Sequence, residues 1–286
     1  MTRRQLLHTG AALAAALPLA AQGDAPPKTA RKLRLKQGVC TSVFARSGLT
    51  FDEQCRQAAA LGVQVVDLQE PERWPIIEKY GMKPNMIPGG GHLADGINDE
   101  ANHAWSEDQF RTKLPLCAKH GVTTMIALSG NRRGKTDEQG WDTSLKLLRK
   151  VVPIAESEGV TICLELLNSK VDHKDYQCDH TTWGVELVKR VNSPRFKLLY
   201  DIYHMQIMEG DVIRTIRSNI GSIAHFHTAG VPGRHQMDDT QELNYRAIAQ
   251  ALVDLGYSGF MSHEYSPAQG LDPLATLDQM LTLCDV

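Results

Sequence analysis

Residues 159–168 read Gly-Val-Thr-Ile-Cys-Leu-Glu-Leu-Leu-Asn, a short apolar run that follows a glycine and ends in a polar residue. A brief run of apolar and β-branched residues between turn residues is typical of a strand buried on both faces of a parallel sheet. Gly159 ends the helical pattern before it, since glycine readily adopts the left-handed conformation that closes a helix. The stretch therefore predicts a helix that passes directly into a buried strand.

The same alternation of a helical pattern and a strand-like run continues along the chain from residue 35. Thr50 and Glu53 form a capping-box pattern, and residues 143–158 carry apolar side chains at helical spacing. A doubly wound sheet is disfavoured because the glycine cluster at 88–92 lacks the G-x-G-x-x-G spacing of a phosphate-binding loop. Eight strands, each followed by a helix, predict an α/β fold of the closed (β/α)8 TIM-barrel type. The predicted strands are 38–44, 63–69, 83–87, 122–128, 160–166, 197–203, 222–228 and 260–265.

Length and composition agree with one globular barrel. The chain has 286 residues, of which 42% are hydrophobic and 22% charged, so collagen-like, coiled-coil and disordered classes are excluded. A single α/β barrel takes about 250 residues. The net charge of −2 gives no basic surface for nucleic acid. We expect a small-molecule partner, and the chain could also form a homo-oligomer.

The N-terminal segment has the pattern of an export signal. Arg3 and Arg4 precede an alanine-rich apolar run at 10–21, which is shorter than the roughly 20 residues of a membrane span. The paired arginines resemble a twin-arginine signal, which predicts a periplasmic protein without a membrane span in its mature form; a disordered basic tail is the alternative. Removal of 1–22 changes the net charge to −4. We expect a signal at 1–22, a flexible spacer at 23–36 and the barrel at 37–286.

The cysteines do not form a metal-binding pattern. The six cysteines are widely separated in the sequence and no C-x-x-C pair occurs, so a structural zinc site is disfavoured. Cys40 and Cys163 lie inside apolar strand-like runs. Twin-arginine substrates as a class cross the membrane already folded, and we therefore expect free buried thiols rather than disulfides.

Polar residues lie near the ends of four consecutive late strands, 36, 26 and 37 positions apart. A carboxylate beside a barrel interior is costly to desolvate unless it is paired or binds a metal ion. Neighbouring parallel strands lie about 4.8 Å apart, so these side chains can reach one cation. Separate ion pairs or caps are the alternative for any one of them. Two Glu, one Asp and one His favour Mn²⁺ or Mg²⁺, with Zn²⁺ or Co²⁺ also compatible. The predicted ligands are Glu165, Asp201, His227 and Glu264.

Several motifs identify a family resemblance across nearly the whole mature chain. Residues 164–168 read Leu-Glu-Leu-Leu-Asn, and 201–206 read Asp-Ile-Tyr-His-Met-Gln, with Glu-Gly-Asp at 209–211. Val-Pro-Gly-Arg-His follows at 231–235 and Glu-Tyr-Ser-Pro at 264–267. The chain resembles the hydroxypyruvate isomerase-like branch of the xylose-isomerase-type TIM-barrel sugar isomerases and epimerases.

The resemblance implies specific roles for these residues. The four strand-end residues resemble the family's metal ligands, and Glu165 and Glu264 also resemble its paired proton donor and acceptor. His204, in a D-x-x-H pattern after Asp201, and Arg234 are predicted to contact substrate; the alternatives are a surface or second-layer histidine and a solvent-exposed loop arginine. His225 is expected to face the outer helices and to be structural.

Chemistry at such a site favours an aldose–ketose type isomerase. Moving a carbonyl to the adjacent carbon removes a weakly acidic proton, which requires a cation to stabilise the enediolate and a carboxylate to take the proton. A ketose 3-epimerase or a 3-keto-glycoside lyase could use the same site, and ketose epimerases have His at the position of His227, where the isomerases usually have Gln. An abasic-site endonuclease, which needs a multi-zinc cluster, and a sugar-binding barrel without catalysis are further alternatives.

Overall fold

A computed structural model describes residues 30–286. The predicted signal at 1–22 and residues 23–29 of the predicted spacer lie outside this range. The described chain contains a single sheet whose paired strands are all parallel, in the order β3-β2-β1-β9-β8-β7-β6-β5-β4. The strands are β1 Lys36–Cys40, β2 Val65–Asp67, β3 Lys83–Asn85, β4 Ile87–Gly90, β5 Thr124–Ala127, β6 Thr161–Leu166, β7 Phe196–Asp201, β8 Ile223–Thr228 and β9 Phe260–His263.

The two ends of this sheet are joined by the chain itself. Only Met86, with φ of +43°, separates β3, which pairs with β2, from β4, which pairs with β5. The predicted third strand is thus present as two pieces, and the predicted (β/α)8 barrel is confirmed.

Helices cover the outside of the barrel, and their ends follow the sequence signals. The Thr50–Glu53 capping box is present at the first helix, and a second, Thr136–Gln139, begins the fourth. Within residues 30–286, no helix is long and apolar enough to cross a membrane. The helices are α1 Phe51–Ala60, α2 Trp74–Lys79, α3 His103–His120, α4 Asp137–Glu158, α5 Thr181–Val191, α6 Ile202–Met208, α7 Val212–Asn219, α8 Tyr245–Asp254 and α9 Pro273–Leu283.

The end of the predicted spacer is held against the barrel. Arg31 Nη2 donates to Asp278 Oδ1 of α9 at 2.6 Å, and the backbone N–H groups of Lys32 and Leu33 donate to Asp285 at 2.8 and 3.1 Å. These contacts fix the chain where it enters β1.

Side chains inside the barrel change from apolar to polar toward the carboxyl ends of the strands. Met86, Ile126, Cys163 and Leu199 form a small buried cluster of their own. Because side chains alternate along a strand, residues two positions beyond Cys163 and Leu199 also face inward. Those residues are Glu165 and Asp201, so the alternation itself carries both carboxylates to the mouth of the barrel.

Candidate active site

Four predicted site residues meet at the mouth of the barrel. One ligand atom each from Glu165, Asp201, His227 and Glu264 lies within 4.8 Å of the other three. The first three are buried and the fourth is partly buried. They come from the ends of β6, β7 and β8 and from the residue after β9. Matching positions on successive strands therefore produce one compact group of three carboxylates and an imidazole.

An arginine and the histidine bridge these carboxylates. His227 Nδ1 lies 2.8 Å from Glu264 Oε2 and 3.6 Å from Glu165 Oε1. Arg234 Nη2 donates to Glu264 Oε2 at 2.9 Å and to Asp201 Oδ2 at 3.1 Å. Arg234 lies on the loop after β8, and its guanidinium is directed into the group instead of into solvent.

The two glutamates differ in their electrostatic surroundings. Burial raises the pKa of Glu165, because its charged form loses hydration. Burial would also raise the pKa of Glu264, but the positive charges of His227 and Arg234 outweigh it and hold that pKa at about 2. The group thus contains one carboxyl that retains a proton more readily and one that stays ionised.

The donor set fits a divalent cation. Three carboxylates this close repel one another, and a cation bound between them would relieve that repulsion. The buried His227 Nδ1 has no assigned hydrogen-bond partner within residues 30–286, although it lies 2.8 Å from Glu264 Oε2. Three oxygen donors and one imidazole nitrogen are a ligand set that suits Mn²⁺ or Mg²⁺.

A buried carboxylate that sequence reasoning missed lies directly beneath this group. Asp67 Oδ2 is 3.2 Å from His227 Nε2 and 2.7 Å from His225 Nε2, and Asp67 Oδ1 accepts from Asn85 Nδ2 at 3.2 Å. Although burial opposes its ionisation, the two histidines hold the pKa of Asp67 well below its usual value. Cys40 Sγ lies 3.9 Å from His227 Nε2 and completes the surroundings of that nitrogen.

The expectation that His225 faces the outer helices is wrong. Its side chain is fully buried and faces Asp67 inside the barrel, not the outer helices. Residues two positions apart in a strand share a face, so His225 must point the same way as His227. That periodicity, applied correctly, predicts that His225 faces inward. Asp67 was harder to find, because the short run Val-Val-Asp is only a weak indication of a strand-end carboxylate.

His204 lies in the first turn of α6, next to the group. The predicted strand at 197–203 ends at Asp201, because Asp201 Oδ1 accepts from the N–H groups of Tyr203 and His204 and begins a helix. His204 is fully buried, and burial lowers its pKa, so the ring is neutral. Asn168 Nδ2 lies 2.7 Å from His204 Nδ1, while His204 Nε2 has no hydrogen bond in the described chain and lies 3.5 Å from Asp201 Oδ2.

A cavity of about 460 Å³ opens beside the group. It is lined by Glu165, Glu264 and Arg234 and by residues of the loop after β4 and of α3. The protein is therefore a TIM barrel whose polar strand ends face a cavity at the carboxyl-terminal mouth. In barrels of this class the ligand site lies at that face.

Comparison with known proteins assigns the family. The family described as "Xylose isomerase-like TIM barrel" matches residues 51–283, and the chain belongs to it. It is 31% identical over 238 residues to "Putative hydroxypyruvate isomerase" of Danio rerio, covering 76% of this chain and 84% of that protein. It is 33% identical over 231 residues to "2-oxo-tetronate isomerase" of Pectobacterium atrosepticum, covering 76% and 87%. A crystal structure of "AP endonuclease, family 2" from Brucella melitensis has a TM-score of 0.75 at 25% identity, covering 85% of this chain and 96% of that one.

Proposed function

We propose that this protein is a metal-dependent isomerase that interconverts the aldehyde and ketone forms of a small sugar or hydroxy-carbonyl compound. The observation that carries the proposal is the convergence of Glu165, Asp201, His227 and Glu264 beside an open cavity. The names of the Danio and Pectobacterium relatives, a putative hydroxypyruvate isomerase and a 2-oxo-tetronate isomerase, support this reaction class.

The four residues would hold one divalent ion, which, when bound, supplies positive charge that stabilises an enediolate. Asp201 and His227 are fixed by their own hydrogen bonds, Asp201 by two backbone N–H groups and His227 by Asp67. This leaves Glu165 and Glu264 as the carboxylates that adjoin the cavity.

The two glutamates move the proton. They extend from β6 and from the end of β9, three strands apart in the sheet, so they can stand on opposite sides of a small substrate. One carboxylate removes the proton from the carbon next to the carbonyl, and a proton then returns to the former carbonyl carbon while another passes between the two oxygens. In the metal-free site, the raised pKa of Glu165 and the low pKa of Glu264 favour different protonation states for the two groups.

Two further residues would orient the substrate. Arg234 lines the cavity and its guanidinium can donate to a substrate hydroxyl or carboxylate while it remains paired with Glu264. The unpaired Nε2 of the neutral His204 can hydrogen-bond a substrate oxygen, and Asn168 fixes the ring for that role.

Metal content tests the ligand set. The purified mature protein should bind about one Mn²⁺ per chain, and Asp201→Ala should lose most of it because the remaining carboxylates bind the ion less tightly. Asp254→Ala, which removes an exposed carboxylate at the end of α8, is the control and should keep full metal content. Full metal content in Asp201→Ala would contradict the assignment.

Solvent exchange tests the proton transfer. In D₂O with Mn²⁺, a sugar that the protein accepts should gain deuterium at the carbon next to its carbonyl. Glu165→Gln and Glu264→Gln should each lower turnover by about 10²-fold or more, because an amide cannot accept the proton. Turnover that persists in both variants without exchange would rule out the two-glutamate mechanism.

A 3-epimerase, or a lyase acting on a 3-keto-glycoside, is the second candidate. His227 favours it, because ketose epimerases resemble this chain at that position. Analysis of the products separates the three reactions, since an epimerase changes configuration at one carbon, a lyase releases an unsaturated product and an isomerase moves the carbonyl.

A further inference from the structure

One face of α3 lines the cavity. Trp105, Gln109 and Lys113 are spaced four residues apart, so they share one side of the helix, and all three line the cavity. Ser106, Phe110 and Leu114 occupy the neighbouring side and are buried. A helix that only had to cover the barrel would not need an aromatic residue and two long polar residues on its cavity face.

Trp105 forms a flat aromatic surface at this face. Its ring lies 4.3 Å from the ring of His92, centroid to centroid, at an interplanar angle of 31°. Trp105 is nevertheless 42% exposed, and the neighbouring Leu93 is 48% exposed. One face of a pyranose ring presents C–H groups, which pack well on an exposed aromatic ring.

Hydrogen-bonding groups flank this surface. Within residues 30–286 the Gln109 side chain makes no hydrogen bond, although it lines the cavity. Lys113 Nζ is held 2.8 Å from Glu70 Oε2 and 3.0 Å from the carbonyl oxygen of Pro88, which places an ion pair on the same wall. Together they offer donors and acceptors for hydroxyl groups beside an aromatic platform, as carbohydrate binding requires.

The cavity also exceeds the volume of a single small sugar. If each non-hydrogen atom takes as much as the roughly 30 Å³ of a liquid water molecule, a hydroxypyruvate-sized acid fills about 210 Å³ and a hexose about 360 Å³. The cavity of about 460 Å³ therefore encloses one hexose, whereas a disaccharide takes about 690 Å³ on the same measure. Its second ring would extend out of the cavity, where the partly exposed Trp105 is available to it.

We propose that the site takes reducing disaccharides, in which the reacting sugar lies at the glutamates and a second sugar ring, attached at the end remote from its carbonyl, stacks on Trp105. Gln109 and the Lys113–Glu70 pair bind hydroxyl groups of the second ring. This inference rests on the proposed isomerase function and names the substrate class of the same site.

The test compares maltose, which carries a second glucose ring on O4, with glucose. With Mn²⁺ bound, kcat/KM should be higher for maltose, and Trp105→Ala should lower it about tenfold for maltose but less than twofold for glucose. Trp105→Phe should keep most of the activity on maltose. Leu271→Ala, which truncates a 45% exposed side chain in a different cavity, should change neither substrate.

Equal effects of Trp105→Ala on both sugars, or no preference of the wild-type protein for maltose, would overturn the inference while leaving the isomerase proposal intact. If neither sugar is isomerised, the proposed function fails on these substrates, and calorimetric binding still decides the inference. Maltose binding that weakens about tenfold in Trp105→Ala supports the second-ring site, whereas an unchanged or absent affinity for maltose overturns it.

Discussion

The two ring nitrogens of His227 face different carboxylates. Its Nε2 lies beside the buried carboxylate of Asp67, while its Nδ1 faces Glu165 and Glu264. Without a bound ion, and although burial opposes it, the surrounding carboxylates raise the pKa of His227, so its ring is positively charged. When a cation is bound, donation from Nε2 to Asp67 would leave the lone pair on Nδ1 for the ion, the arrangement that orients metal-binding histidines in proteins. His225 and Asn85 hold Asp67 in place, so three interior residues define the direction of one ligand, His227.

Asp67→Asn should weaken Mn²⁺ binding by about 10- to 100-fold, because the neutral amide no longer fixes the proton of His227 on Nε2. The dissociation constant can be measured by titrating the metal-free protein. Asp254→Asn at the exposed end of α8 should bind Mn²⁺ like the wild-type protein. An Asp67→Asn protein that unfolds at lower temperature but binds Mn²⁺ normally would limit Asp67 to a structural role.

The four site residues were predictable because each one follows an apolar run at a strand end, a pattern that is local in sequence. Asp67 was not, because its contacts with His225 and His227 join residues 158 and 160 positions apart across the barrel. Its strand contains only three residues, too few for a clear alternation. Interior contacts between distant strands depend on the register of the closed sheet.

The third strand of the barrel was predicted at the correct place in the sequence, but as one continuous strand instead of two. The run at 83–87 indicates a strand, but the left-handed conformation of Met86 divides it into β3 and β4. After this break the Pro-Gly-Gly-Gly run at 88–91 passes very close to α3. A Cβ atom built on Gly90 would lie 2.3 Å from the Phe110 ring, so the absence of a side chain at this position allows the helix to approach.

Gly90→Ala should destabilise the protein by about 1–3 kcal/mol, because the new methyl group overlaps a fully buried aromatic ring that has little room to move. Urea unfolding measures the change. The matched control is Gly221→Ala, since a Cβ atom there has no neighbour within 4 Å and should change stability by less than about 0.5 kcal/mol. Equal stability of the two variants would contradict a tight contact between β4 and α3.

At the scale of the molecule, all six cysteines are buried and free, as predicted. Burial raises the pKa values of Cys55, Cys117 and Cys284 to about 12, which leaves almost no reactive thiolate at neutral pH. A chain of this kind resists oxidation once it is folded, but its thiols are exposed whenever it is unfolded. In an oxidising compartment, the order of folding and transport therefore decides whether the thiols survive.

We propose that the chain reaches the periplasm by the twin-arginine route, already folded. The substitutions Arg3→Lys and Arg4→Lys together should retain the protein in the cytoplasm, which cell fractionation would detect. Arg34→Lys with Arg46→Lys, at one exposed position of the spacer and one of the barrel, should leave export unchanged. In the exported wild-type protein, a thiol reagent should react with about six cysteines in denaturant and with almost none in the native state. The reason is that burial protects the thiols during transport. A leader that exports the chain unfolded should instead give disulfide-linked, inactive protein. Equal export of the two double variants would contradict the route, and disulfides in the wild-type protein would contradict folding before transport.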